Sequence, residues 1–545
     1  MKSGFSSARP DRPSPLSGPA GPPRAARHLR RALLLVDRLF ERAFGSRRNP
    51  LLQSGNLAIL FLLTTISSGL YLFLFYSIDD PNGSVATIRE RIFLGEWIRS
   101  LHRYSADLAV VSSVVHAWRK LVQGQTWGPR ALAWTTGVLL LGVLGLCGAT
   151  GLILVWDAQA LGLALEGARL ADLFPLFSTP LSRAFRGAAP VPSSFFFMNL
   201  FLHVALPLGL ATLLGIHVAR LARPALLPPR RLAGWALLAI ASLAALVPVP
   251  LEPAADLMAL PDRAPHDLFF AFWLPVAREL GPAAHLAFWI VLGGGMLLAP
   301  RWWRPRRRPI NASWVDESSC TGCTTCSQDC PYEAIAMVPR SSFERQHSEL
   351  VARVDPRRCV GCGICAGSCA PMGVGPYGRT GRDQLVDLET VLAGMRLDRR
   401  EILVFGCSTT GWERRDALGD PNLTLVPVSC AGSLHSSAIE TALRRGVGGV
   451  LILSCPDRDC RFREGPKWLQ ERLFAGREAE LHERVDRRRV RCAALSLAEA
   501  EAARREVAAL REQLAILDDG RADDAELAAT CRVDAAVVEA EEVHA

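Results

Sequence analysis

Residues 98–121 read IRSLHRYSADLAVVSSVVHAWRKL, and two histidines in this stretch, His102 and His116, decide the architecture. The segment is apolar enough, and long enough, to cross ~30 Å of hydrocarbon. Its histidines stand fourteen residues apart. That is almost four helical turns, so both fall on one face, about 21 Å apart along the axis. Phe196–Leu221 repeats the device with His203 and His217, at the same interval. Two such helices facing each other set His102 against His203 and His116 against His217. Glycines keep the interval too: Gly55 and Gly69 in Ser54–Tyr76, Gly137 and Gly151 in Leu132–Val155. A glycine at matched height lets a flat group come close to the backbone. The pattern reads as two bis-imidazole haem sites, one near each membrane surface. Buried histidines bonding between helices, with glycines as ordinary packing residues, is the plainer alternative. Eight matched positions weigh against it, and intramembrane histidines tend to be functional even singly.

Working outward, Leu232–Val249 and Ala284–Pro300 are two further apolar segments, which makes six spans with Ser54–Tyr76, Ile98–Leu121, Leu132–Val155 and Phe196–Leu221. Leu268–Leu280 is apolar but short and holds Pro275, so it reads as interfacial or re-entrant. Arg24 to Arg48, Arg119/Lys120/Arg130, Arg220/Arg223/Arg230/Arg231 and Arg301 to Arg308 all fall on one side of this arrangement. The positive-inside rule then puts both termini in the cytoplasm of a cell whose inner membrane holds the bundle. The formal charge of +9 belongs to these flanks, and nucleic acid is set aside as a partner. Residues 1–45 read as a disordered basic start and an amphipathic segment near Leu33–Phe44, with no signal peptide evident.

Fourteen of the fifteen cysteines follow residue 319. Cys320, Cys323, Cys326 and Cys330 run C-x2-C-x2-C-x3-C before Pro331, and Cys359, Cys362, Cys365 and Cys369 repeat the run with Ala370 before Pro371. On the cytoplasmic side thiols stay reduced, and paired CxxC runs point to metal rather than disulfides. Zinc is the competing metal, but eight cysteines in this arrangement favour two [4Fe–4S] clusters. Further on, Glu401–Phe405 and Gly449–Leu453 read as buried strands ending near Cys407 and Cys455, with helical sequence such as Ser437–Arg445 between. A small α/β domain with a parallel sheet follows. Cys430, after Leu423–Val428, and Cys460 complete a set of four at strand ends, where open sheets place their sites. Structural or redox thiols are the plainer reading of that set.

Three resemblances attach to these residues. Ile98-Arg99-Ser100-Leu101-His102, the later His203 and His217, and Gly151 followed by Val155-Trp156-Asp157 resemble the N-terminal half of cytochrome b over about residues 45–225. This implies a four-helix bundle with two b haems, Arg99 meeting a haem propionate, quinone sites near the haems, and a homodimer as in cytochrome b complexes. The outer quinol motif Pro-Glu-Trp-Tyr of that family has no clear match, Pro265-His266-Asp267-Leu268-Phe269 standing in a similar place. The cysteine runs have the spacing of bacterial two-cluster ferredoxins, whose fourth cysteine serves the other cluster. That resemblance assigns Cys320, Cys323, Cys326 and Cys369 to one cluster and Cys359, Cys362, Cys365 and Cys330 to the other. The stretches Phe405-Gly406-Cys407, Val428-Ser429-Cys430 and Ser454-Cys455 through Cys460-Arg461-Phe462 resemble the delta subunit of methyl-viologen-reducing hydrogenase. It implies one [2Fe–2S] cluster on Cys407, Cys430, Cys455 and Cys460, although Thr410 stands where that family often has a second cysteine.

The expected fold is multi-domain. A disordered start (1–45) leads to a di-haem four-helix bundle (46–225) and two further spans (226–308). A ferredoxin-like α+β domain (309–385), a small α/β parallel-sheet domain (396–494) and a helical tail (495–545), read as a surface helix, follow. Cofactors in series are most simply an electron path. The expected role is a membrane electron-transfer subunit between the quinone pool, with lipid around it, and a soluble flavoprotein of the heterodisulfide-reductase type. The alternative is that the chain itself turns over quinone near the inner haem. Gly373-Val374-Gly375-Pro376-Tyr377-Gly378 matches GxGxxG but follows no strand, so it reads as a loop. No chain of intramembrane carboxylates stands out.

Overall fold

The computed structural model describes residues 24–45, 48–174, 179–187, 189–223, 225–258, 267–303, 312–340, 348–395, 400–412, 418, 420 and 423–518. The N-terminal Pro- and Arg-rich stretch, Pro265 and His266, Arg304 to Arg308 and Cys531 lie outside the described residues. The chain forms two compact units, residues 22–304 and a unit built on residues 305–545.

The first unit is helical. α1 (Arg24–Phe44) is amphipathic and is pinned at Asp37, whose buried carboxylate pairs with Arg119 and whose carbonyl accepts from Asn49 at 3.1 Å. α2 (Ser54–Phe73), α3 (Pro81–Arg91), α4 (Gly95–Val122), α5 (Ala131–Ile153) and α6 (Ala158–Ala171) follow. Asp80 and Asp157 cap α3 and α6, accepting from Gly83 and Ala160, which satisfies donors that a helix start leaves orphaned. α7 (Ser193–Gly215) runs on into a π-helical turn, Ile216–Ala222. α8 (Arg230–Leu246) and α9 (Leu274–Trp303) complete the unit.

Among the described residues four stretches are long and apolar enough to cross a membrane: Ser54–Phe73, Gly128–Ile153, Ser193–Leu221 and Leu274–Trp302. Two of the six expected spans are not among these four. α4 has 28 residues but carries Arg99, Arg103 and Asp107, and α8 is apolar but has 17 residues, about 26 Å of helix. Leu268–Leu280, expected as a separate interfacial piece, divides differently. Its second half is the start of α9, which continues into the last span across a break at Gly281, φ +82°, just before Pro282.

In the second unit β1 (Ser313–Val315) pairs antiparallel with β4 (Val374–Pro376), and β2 (Ile335–Pro339) with β3 (Leu350–Val354). The turns α10 (Thr325–Gln328) and α11 (Ile364–Ser368) hold the cysteine loops. The GxGxxG stretch is therefore a short strand and turn. α12 (Gly381–Ala393), closed by a capping box between Thr380 and Asp383, leads to the sheet. β5 (Ile402–Cys407), β6 (Thr424–Val428), β7 (Gly449–Ser454) and β8 (Val490–Ala494) are all parallel, in the order β6-β5-β7-β8. α12, α13 (Ser436–Arg444) and α14 (Gly465–Phe474) pack on one face. α15 (Ala500–Asp518) covers the other, with Ala503 and Leu510 fully buried. This corrects the reading of the tail as a surface helix. Its apolar positions at helical spacing close the core, so the α/β domain extends past residue 494 to 518.

Candidate functional site

In the helical unit the four histidines meet the four glycines. A Cβ built on Gly69 would lie 2.9 Å from His102 Cε1, one on Gly151 2.8 Å from His203 Cε1, and one on Gly55 2.7 Å from His116 Nδ1. On Gly137 the nearest atom, His217 Cε1, is 3.5 Å away. Each glycine thus makes room for one imidazole of the neighbouring helix. His102 and His203 face each other with ring centroids 6.4 Å apart. Two imidazoles sharing one metal at ~2.0 Å metal–nitrogen distance need about that separation. The outer nitrogens are occupied: His102 Nδ1 lies 2.9 Å from the Thr65 carbonyl and His203 Nδ1 2.9 Å from the Cys147 carbonyl. A carbonyl can only accept, so Nδ1 carries the hydrogen and Nε2 keeps its lone pair, the orientation a metal-binding histidine takes. His217 Nδ1 meets Thr136 Oγ1 at 2.9 Å and sits on the π-helical turn, a distortion frequent at functional sites. The residues present fit a haem between His102 and His203.

Arg99 donates to the carbonyls of Val249 (2.7 Å) and Pro250 (3.0 Å), contacts that a haem propionate would have to share. Sequence reasoning passed over Arg103, which pairs with Asp107 at 3.2 Å and with Asp267. Asp267 also accepts from the backbone of Phe269, Phe270 and Ala271, and Asp107 Oδ1 is buried without a partner among the described residues. The i,i+4 pair Arg103/Asp107 inside an apolar segment was the available signal. Asp267 was visible only as part of a stretch with no helical or strand period.

In the second unit Cys320, Cys323, Cys326 and Cys369 line one cavity, with an empty volume of about 350 Å³ that is partly open to solvent. The other four converge separately: the charges felt by Cys362 and Cys365 include those of Cys330 and Cys359. The folded chain thus brings the cysteines together in the crossed sets. Both loops use left-handed backbone at matched places, Gly322 and Thr324 in the first (φ +72° and +71°), Gly361 and Gly363 in the second (+63° and +83°). Burial pushes the Cys365 thiol up to about 12 and those of Cys326 and Cys362 higher still. Iron taking the place of such a proton removes the cost of an unpaired buried thiolate. Among the described residues no three His, Cys, Asp or Glu side chains close around a single ion, whereas a cubane spreads its ligands more widely.

Cys407, Cys430, Cys455 and Cys460, at 0, 1, 1 and 0 % exposure, converge at the ends of β5, β6 and β7. Cys455 bonds both Cys407 and Cys460. Its bond holds the Cys407 thiol down to about 5, while burial pushes Cys430 well up. A Cβ on Gly465 would lie 2.7 Å from Cys430 Sγ, so only glycine leaves room there. Thr410 bonds the Cys407 carbonyl (3.1 Å) and shapes the turn. Cys492 and Cys147 stand apart from these sets.

An apolar bundle that sets His102 against His203 and seats four histidines against glycines, carried on one chain with paired cysteine loops, defines an integral membrane redox protein. The chain belongs to the cytochrome b family. The family model described as cytochrome b/b6/petB matches residues 46–224, that of a 4Fe-4S dicluster domain residues 319–373, and that of the methyl-viologen-reducing hydrogenase delta subunit residues 402–518. The chain is 30% identical over 170 residues to the menaquinol:cytochrome c reductase cytochrome b subunit of Bacillus subtilis, covering 30% of this chain and 75% of that protein. It is 29% identical over 182 residues to the subunit of that name from Geobacillus thermodenitrificans, covering 32% and 80%. A solved structure titled "Hyperthermophilic respiratory Complex III" shares 22% identity over 46% of this chain and 74% of its own, with a TM-score of 0.37. The protein is a membrane electron-transfer protein carrying haem b and iron–sulfur clusters.

Proposed function

We propose that this chain conducts electrons between the quinone pool and a soluble flavoprotein of the heterodisulfide-reductase type. It would hold one haem b between His102 and His203, a second between His116 and His217, [4Fe–4S] clusters on the two crossed cysteine sets, and [2Fe–2S] on Cys407, Cys430, Cys455 and Cys460. Six spans would keep both termini and the cysteine domains in the cytoplasm. The observation that carries the reading is the pair His102 and His203, 6.4 Å apart with each Nδ1 held by a carbonyl. These groups, when bound, take up and release single electrons. The chain's own part is to fix their ligands, keep water from them by burial and set their potentials through neighbouring dipoles and charges. The relatives' names include menaquinol, which supports quinone as the membrane-side reactant.

The test is an anaerobic redox titration of the purified protein, followed optically and by electron paramagnetic resonance. Two b-type transitions, two [4Fe–4S] signals and one [2Fe–2S] signal are expected. Well-folded protein without haem would overturn the reading.

A further inference from the structure

The guanidinium of Arg379 stands between the second cysteine loop and the loop that carries Cys430. Its Nη1 donates to Ser429 Oγ at 2.9 Å and its Nη2 to the Gly361 carbonyl at 3.1 Å. Those two residues are the sequence neighbours of Cys430 and Cys362. Arg379 is half-buried, and burial works against its charge. The groups that favour the charge are the thiols of Cys362, Cys430, Cys365 and Cys359, with no carboxylate among them. Burying a cation away from water is costly unless an anion faces it. Among the described residues, the groups that most favour its charge are the cysteines themselves.

The two loops also touch without Arg379. Cys362 and Cys430 belong to one apolar cluster with Ile364 and Trp468. A Cβ on Gly363 would come within 3.0 Å of Ser433 Cβ, and one on Gly367 within 2.8 Å of the Gly432 carbonyl. Among the described residues the cavity of the first cysteine set is lined by none beyond Val374.

We infer that Arg379 is an electrostatic bridge between the site of Cys330, Cys359, Cys362 and Cys365 and the four-thiol site, making these two consecutive stations and raising the reduction potential of both. The inference rests on the proposed iron–sulfur occupancy of the two sites. One electron added at either site adds one negative charge beside the guanidinium, which favours the reduced form. Transfer between the sites moves that electron alone: no bond breaks, and Arg379 keeps its proton.

The experiment is a potentiometric titration of the full-length protein in detergent, monitored by electron paramagnetic resonance, for wild type, Arg379→Gln, Arg379→Lys and Ser429→Ala. A Cys323→Ser variant identifies the signal of the first site. Arg379→Gln is expected to disfavour reduction at both adjoining sites by about tenfold, or ~59 mV for a one-electron couple, with the first site moving much less. Arg379→Lys, which keeps the charge, restores most of the shift, and Ser429→Ala, which removes one contact, moves little. Equal shifts at all three sites would mean general loosening and overturn the bridge, as would adjoining sites that do not move. A wild-type protein with no third signal would instead refute the occupancy of the four-thiol site, an outcome the wild-type titration shows without any variant.

Discussion

Alanine at the four bundle glycines provides a graded test of the haem sites. A mid-helix Gly→Ala exchange by itself stabilises a helix by about 0.5–1 kcal/mol. Against that stands the space. Ordinary contact begins at 3.4 Å, so the opposing imidazole must retreat by 0.7 Å at Gly55 (3.4 less 2.7), by 0.6 Å at Gly151 (3.4 less 2.8) and by 0.5 Å at Gly69 (3.4 less 2.9). At Gly137, with the ring 3.5 Å away, nothing need move. Metal sites tolerate ligand displacements of about 0.2 Å. Gly55→Ala should therefore empty the site of His116, and Gly69→Ala or Gly151→Ala that of His102 and His203, while Gly137→Ala keeps both haems and gains stability. Haem per chain, measured as the pyridine haemochrome, decides the matter. The double variant Gly69→Ala/Gly151→Ala should lose no more haem than either single one, because both glycines serve one site; Gly55→Ala/Gly69→Ala should lose both haems. Full haem with unaltered potentials in the three crowded variants, or equal loss in Gly137→Ala, would refute the pairing of glycine with ligand.

Arg472 is fully buried and donates to Ser368 Oγ (2.9 Å) and to the Gly432 carbonyl (2.6 Å), 3.8 Å from the buried Asp329. Arg472→Met should cost about 3 kcal/mol, the low end for breaking a buried pair, since Arg477 still holds Asp329 at 2.6 Å; chemical unfolding in detergent measures it, and a loss under about 1 kcal/mol would count against the network. Gly363→Ala should cost about 1–2 kcal/mol for its left-handed backbone, with further strain where the new Cβ meets Ser433; an unchanged melting curve would contradict this. Under stepwise ferricyanide the site holding the exposed Cys323 should decay before the four-thiol site, whose cysteines are at most 1 % exposed, because reactivity follows access. Loss of the four-thiol signal first would reverse the argument.

The helical unit was legible where a period repeated. The fourteen-residue interval of His102/His116 and His203/His217 gave helices, faces and partners at once, and His102 and His203 do face each other. For the cysteine runs, the crossed sets came from their resemblance to two-cluster ferredoxins. What sequence could not reveal were groups whose partners lie far along the chain: Arg103 with Asp267, Arg379 with Ser429, Arg472 with Asp329. Such long-range polar pairs leave no period. β8 was missed because its five residues include Arg491 and lack a continuous apolar run. In sequence α15 reads as a surface helix because its alanines and charges look solvated until the face bearing Ala503, Val507, Leu510 and Leu514 finds the sheet.

The ferredoxin-like and α/β parts are one body rather than two beads on a linker. Asp329, at the end of α10, is fully buried and meets Ser368 at 2.6 Å, Arg472 at 3.8 Å and Arg477 at 2.6 Å. Removing Asp329 would leave the buried Arg472 guanidinium without its anion in low dielectric, so the network ties α10, α11 and α14 to one register. His435 reinforces it by meeting the Cys369 carbonyl at 3.1 Å, tying the helix after Cys430 to a cysteine of the first set. Distances between the cysteine sites are therefore set by packing and cannot drift with a hinge. Fixed spacing of this kind suits the proposed passage of electrons from site to site.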